Sequence, residues 1–144
     1  MPAKDDHGKR VRQRVLCVDD SWDVLKLQKL ILEAAGYAVL LASDGAEGVN
    51  LVAKGCRIDL VVLSCEMTPM TGAEVAQRLR AIEPELPVLM VSAVTLPQDS
   101  SKAERFVIPK TEMVMTLVGQ IKRLLRRQAG RVRPSVRPED WKTN

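Results

Sequence analysis

The chain has 144 residues, 46% of them hydrophobic, which fits one domain with a real core and argues against wholesale disorder. No apolar stretch approaches the ~18–20 residues of a membrane span, and the polar opening MPAKDDHGKR lacks the apolar stretch of a secretory signal. The net charge of +4 is divided: residues 15–112 hold 9 Lys/Arg against 14 Asp/Glu, so the basicity lies at the two ends, unlike a dedicated nucleic-acid domain whose fold presents a basic face.

The first element is VLCV, Val15 to Val18, a short apolar run that reads as a strand buried on both faces and closed by Asp19 and Asp20. SWDVLKLQKLILEAAG follows as a helix, with Ser21 as N-cap, Gly36 as the residue past its end, and Val24, Leu27, Ile31 and Ala34/Ala35 on one apolar face. YAVLLA is a second strand, and SDGAEGVNLVAKG a turn leading into a short helix. IDLVVL is a third strand, strongly β-branched. GAEVAQRLRAI is a helix that stops before Pro84, because proline disfavours helix in the residue preceding it. PVLMV is a fourth strand and FVI a short fifth. The final helix runs from about Glu112 to Gln128.

Strands alternating with helices predict parallel βαβ units, and so a small doubly wound α/β domain with helices on both faces of the sheet. In that architecture ligands bind off the carboxyl ends of the strands. The residues expected there are Asp19 and Asp20, Ser64, Ser92 and Lys110. Acids, hydroxyls and a lysine around one site suit a phosphoryl group: two carboxylates favour a hard cation such as Mg²⁺, while a hydroxyl and an ammonium address phosphoryl oxygens. Taken singly, each of these residues is better explained as an ordinary solvated loop or surface position; it is their joint placement at four parallel strand ends that points to a site. Three cysteines without paired spacing and one distal histidine, His7, form neither a disulfide framework nor a zinc site. Cys17, Cys56 and Cys65 are expected to be small buried residues in a reducing, cytoplasmic compartment.

VLCVDD, DLVVLSCEMTPMTGAEVAQRLR, PVLMVSA and FVIPK resemble, in order and spacing, the successive signatures of response-regulator receiver domains over residues 14–128. The resemblance implies a CheY-like, flavodoxin-like fold with a five-stranded sheet in the order 2-1-3-4-5. It also implies Asp19 and Asp20 as the Mg²⁺-binding acidic pair, Ser92 as the conformational-switch hydroxyl and Lys110 as the phosphoryl-contacting lysine. In the family, Met-Pro-x-Met-x-Gly begins three residues after an acceptor aspartate. Met67, Met70 and Gly72 fall three, six and eight residues after position 64, where this chain has Ser64.

A serine hydroxyl is protonated at neutral pH and needs a general base, and no histidine is placed to supply one. Losing the carboxylate also weakens any Mg²⁺ site. Cys65 is no substitute, since successive strand residues point to opposite faces. The resemblance gives Glu66 a backbone-oxygen role, with rescue of the missing carboxylate by its side chain as the alternative. Other departures accompany this one. Thr68 stands where the family has proline, with Pro69 after it, and no proline follows Lys110, where a cis bond before Thr111 would cost several kcal/mol. Phe106 lies four residues before Lys110, so either the strand is bulged or Val107 takes the place of the family's switching aromatic. The stretch between strands four and five is short, contains Pro97, and predicts a stunted or irregular fourth helix.

Between Met113 and Pro138 the chain has seven Lys/Arg and no acid. Ile121, Leu124 and Leu125 share a helical face, with Lys122, Arg123, Arg126 and Arg127 mostly opposite. That basic end is accounted for by a solvated helix terminus complementing the helix dipole, by nucleic-acid or acidic-partner contact, or by membrane-surface attachment, in that order. Residues 1–13 read as a polar extension and 129–144 as a basic, disordered tail that leaves no room for a separate output domain. The expectation is therefore a stand-alone, non-enzymatic receiver-like domain of two-component signalling that binds partners without needing phosphate. Those partners would be a histidine kinase, a downstream effector or a second copy of itself, met on a surface including Phe106, Val107 and the basic residues of the last helix. The competing expectations are a working phosphoreceiver using Ser64 or Glu66 as acceptor, and a nucleic-acid binder acting through the basic last helix and tail.

Overall fold

The computed structural model of the protein describes residues 12–93 and 107–129. In chain order the elements are β1 (Arg14–Val18), α1 (Trp22–Ala34), β2 (Ala38–Ala42), α2 (Gly45–Ala53), β3 (Leu60–Ser64), α3 (Gly72–Ile82), β4 (Val88–Ser92) and β5 (Val107–Pro109). A 3₁₀ turn at Lys110–Glu112 then leads into α4 (Met113–Ala129). The strands form one parallel sheet in the order β2-β1-β3-β4-β5, as expected. Phe106, the fourth helix expected between the fourth and fifth strands, residues 1–11 of the extension and residues 130–144 of the tail lie outside the described residues.

Strand periodicity divides the core into two layers. Val15 and Cys17 of β1, Leu60 and Val62 of β3, and Leu89 and Val91 of β4 pack with Leu25 and Leu32 of α1 and with Met113, Leu117, Ile121 and Leu125 of α4. Their alternates Leu16, Val18, Val61 and Leu63 face Val52 of α2 and Val75, Ala76 and Leu79 of α3. Each fully buried leucine contributes roughly 1.5–3 kcal/mol relative to an exposed one. An aliphatic core of this kind compensates for the scarcity of aromatics.

The helix ends follow local chemistry. Ser21 caps α1 through its hydroxyl, which accepts from the Val24 N–H at 3.4 Å. At the other end Gly36 takes φ +98°, and the Gly36 and Tyr37 N–H groups donate to the Glu33 and Leu32 carbonyls respectively, the paired hydrogen bonds of a Schellman motif. The buried face of α1 differs from the expected one: Leu25, Gln28 and Leu32 are buried, Val24 and Ile31 are only partly covered, and Leu27 is exposed. The Gln28 Nε2 lies 3.3 Å from the Met113 Sδ, which ties α1 to α4, while its buried Oε1 has no hydrogen-bond partner among the described residues. The cysteines also diverge from expectation. Cys17 is buried, Cys65 half-buried and Cys56 exposed, because Cys56 falls in the turn after α2 and not in a strand.

Candidate functional site

Parallel register brings the strand ends to one edge. Val18 pairs with Leu63, Ser64 with Val91, and Ser92 with Pro109, so the residues at or just beyond these positions are neighbours. Asp19, Ser64 and Ser92 are each 1% exposed, which places three polar groups at the bottom of the site. A buried polar group is costly unless it finds a partner, so their bonds define what the site does.

Asp19 is held from two sides. Its Oδ1 accepts from the Ser21 N–H at 2.9 Å, and its Oδ2 lies 3.1 Å from the Lys110 Nζ. No donor hydrogen is aligned on Oδ2, so the pair is held by charge more than by a directed hydrogen bond. The same carboxylate acts on the residue below it. Burial pushes the Cys17 thiol far up from its ordinary value, and the Asp19 charge adds to the effect, so Cys17 is an inert core residue. Asp20 is exposed and joins none of these contacts.

The turn after β3 is fixed by the packing beneath it. Met67 is 4% exposed in the α2/α3 layer, and Met70 packs against the same cluster. Gly72 begins α3 directly against the strand end: its N–H donates to the Cys65 carbonyl at 3.1 Å, and a Cβ there would collide with the Ser64 carbonyl oxygen. Thr71 and Glu74 form a capping box that seals the helix start. The Thr68–Pro69 peptide is cis, whereas the peptide before Thr111 is not.

Glu66 lies between the strand and this anchored turn and makes contacts through both its backbone and its side chain. Its backbone carbonyl accepts from the Ser64 hydroxyl at 3.1 Å. Its carboxylate crosses to β4, where Oε2 accepts from the Ser92 hydroxyl and Oε1 from the Ala93 N–H, both at 2.7 Å. These are short, charge-assisted bonds. Partial burial alone would raise the Glu66 carboxyl; the Ala93 N–H, the Ser92 hydroxyl and the Lys110 ammonium outweigh it and hold the group below its ordinary value. Ala93 was not among the expected site residues, since a backbone donor leaves no mark in a sequence.

The donor set does not fit a divalent cation in this arrangement. The outer oxygen of Asp19 faces an ammonium, the Glu66 carboxylate is turned to Ser92 and Ala93, and among the described residues no group of three or more His, Cys, Asp or Glu is placed to hold a metal. What the arrangement does offer is a set of donors for anionic oxygen, made of one hydroxyl and one backbone N–H, with the charge of the Lys110 ammonium acting on the same group.

The remaining expected residues lie elsewhere. Val107 is half-buried at the start of β5, opposite Met90. Lys122, Arg123, Arg126 and Arg127 are exposed on α4, opposite the buried Leu117, Ile121 and Leu125. No helix among the described residues is long and apolar enough to cross a membrane.

Comparison with known proteins agrees with this architecture. The response regulator MprA of Mycobacterium leprae is 34% identical over 123 residues, an alignment covering 79% of this chain and 51% of that protein. The chain thus spans about half the length of the curated relatives it matches. A CheY-like receiver domain from Methanospirillum hungatei superposes with a TM-score of 0.73 at 25% identity, covering 83% of this chain and 98% of the other. The response regulator TrrA of Thermotoga maritima, solved in complex with Mg²⁺ and BeF, gives a TM-score of 0.70 at 29% identity over 78% of this chain and 98% of its own. The same TrrA has been solved in complex with the histidine kinase ThkA. The family model for the response regulator receiver domain matches residues 15–108, and the chain belongs to that family.

Proposed function

We propose that this receiver domain is a binding module of two-component signalling whose partner contacts do not depend on phosphorylation, and that it is not itself an enzyme. Ser64 takes the family's acceptor place in this reading, where an aspartate would be nucleophile and metal ligand together. The observation that carries the proposal is the direction of the Ser64 hydrogen bond. Its hydroxyl donates to the Glu66 carbonyl, a neutral acceptor that cannot take the proton a serine nucleophile must lose. The bonds that commit the Asp19 and Glu66 carboxylates to Lys110, Ser92 and Ala93 support the same reading. A histidine kinase or a downstream effector is the expected class of partner.

The test is intact-protein mass after incubation with Mg²⁺ and a small phosphodonor such as acetyl phosphate, with Ser64→Asp run in parallel. Wild type is expected to gain no phosphoryl group and the variant to gain one. A phosphoryl group on wild-type Ser64 or Glu66 refutes the proposal.

A further inference from the structure

Among the described residues, the Glu66 carboxylate is the anion that reaches from the turn after β3 across to β4. Asp19 faces Lys110 inside the fold, and Asp20 is in solvent. Glu66 is an exposed residue on a turn held by Met67 and Gly72, and water would serve its carboxylate well. Instead both of its oxygens are bound at 2.7 Å, one to a buried hydroxyl and one to a backbone N–H on the next strand. Two oxygens on two convergent donors, with an ammonium close by, is how a protein receives one edge of a tetrahedral oxyanion.

We propose that Glu66 is an internal ligand: its carboxylate occupies an oxyanion site formed by the Ser92 hydroxyl and the Ala93 N–H with Lys110 alongside, a site that takes inorganic phosphate once Glu66 is removed. This deepens the proposed function, because it rests on reading the same strand ends as the family's phosphoryl site. A tethered carboxylate competes as a ligand already at high effective concentration, so a free anion must displace it at a cost. Ser92 is thereby kept drawn toward the site without any phosphoryl group. The site is both filled and self-satisfied.

The experiment follows the Ala93 amide in ¹H–¹⁵N spectra of the full chain as inorganic phosphate is added. Wild type is expected to show no saturable shift. Glu66→Ala is expected to move the Ala93 resonance and then to bind phosphate at least about tenfold more tightly than wild type, some 1.4 kcal/mol or more. Glu33→Ala removes the same charge from an exposed position on α1 and is expected to behave as wild type. If wild type and Glu66→Ala respond alike, or if Glu66→Ala shows no response at Ala93, the proposal is overturned. If Glu33→Ala matches Glu66→Ala, net charge is the cause and the proposal also falls. These readouts are non-covalent, so their failure is separate from a covalent mass gain by wild type, which would refute the proposed function alone.

Discussion

Glu66 is where opposed influences on one side chain can be weighed. Burial acts to raise its carboxyl, but the Ala93 and Ser92 bonds and the Lys110 charge prevail, so the folded state holds the proton more weakly than the unfolded state does. The sign of the pH dependence follows. A depressed carboxyl contributes stability above its unfolded value, and that contribution is lost as pH falls through the folded value. Glu66→Gln removes the titration but keeps the shape. In urea denaturation from neutral pH down through the ordinary glutamate range near ~4.3, the wild-type midpoint should therefore fall more steeply than that of the variant. The gap between them should close toward acid. Parallel curves would show that the Ser92 and Ala93 bonds are not made to the ionised group in solution.

Among the elements, the start of α3 decides whether the site is held at all. Gly72 lets the helix begin against the end of β3, and the Thr71–Glu74 capping box fixes where it begins. Gly72→Ala would drive a methyl group into the Ser64 carbonyl and to within 2.8 Å of the Cys65 Cα, both of them backbone that cannot swing away. The expected loss is at the upper end of the ~1–3 kcal/mol typical of overpacking, read as a lower denaturation midpoint. A variant as stable as wild type would mean that α3 and the strand end are not in contact. The place of Gly72 was legible through the family's spacing from position 64, though its contact with the strand end is seen only in the fold. The face of α1 was not legible. LKLQKLIL is apolar on more than one side, so several arcs satisfy helical spacing, and the one that is actually buried contains Gln28, whose polarity argues against it until the Met113 sulfur is seen beside it. The role of Glu66 was hidden for a similar reason. A turn residue's direction depends on which neighbours the core captures, here Met67 and Met70, and neither polarity nor spacing reveals that.

For the whole molecule, strands alternating with helices made the parallel βαβ units and the helical layer on each face of the sheet legible, whereas the strand order came with the resemblance to receiver domains, and the sheet has that order. The two layers are nonetheless one cooperative unit. β1 and β3 give consecutive residues to opposite clusters, Val15 and Cys17 to one and Leu16 and Val18 to the other, so neither layer can loosen without disturbing the strands that carry its partner. Leu117→Ala empties a fully buried position on the inner face of α4, and Leu63→Ala does the same on the α2/α3 side of the sheet. Each should cost about 2–5 kcal/mol. Both variants should still unfold in a single transition, with the calorimetric and van't Hoff enthalpies equal. If Leu117→Ala instead produced a separate early transition while Leu63→Ala did not, α4 would be a detachable element. The Lys110–Asp19 pair and the basic face of α4 would then report on helix docking and not on the receiver fold. A shared single transition ties the site at the strand ends, including the Glu66 contact to β4, to the stability of the entire domain.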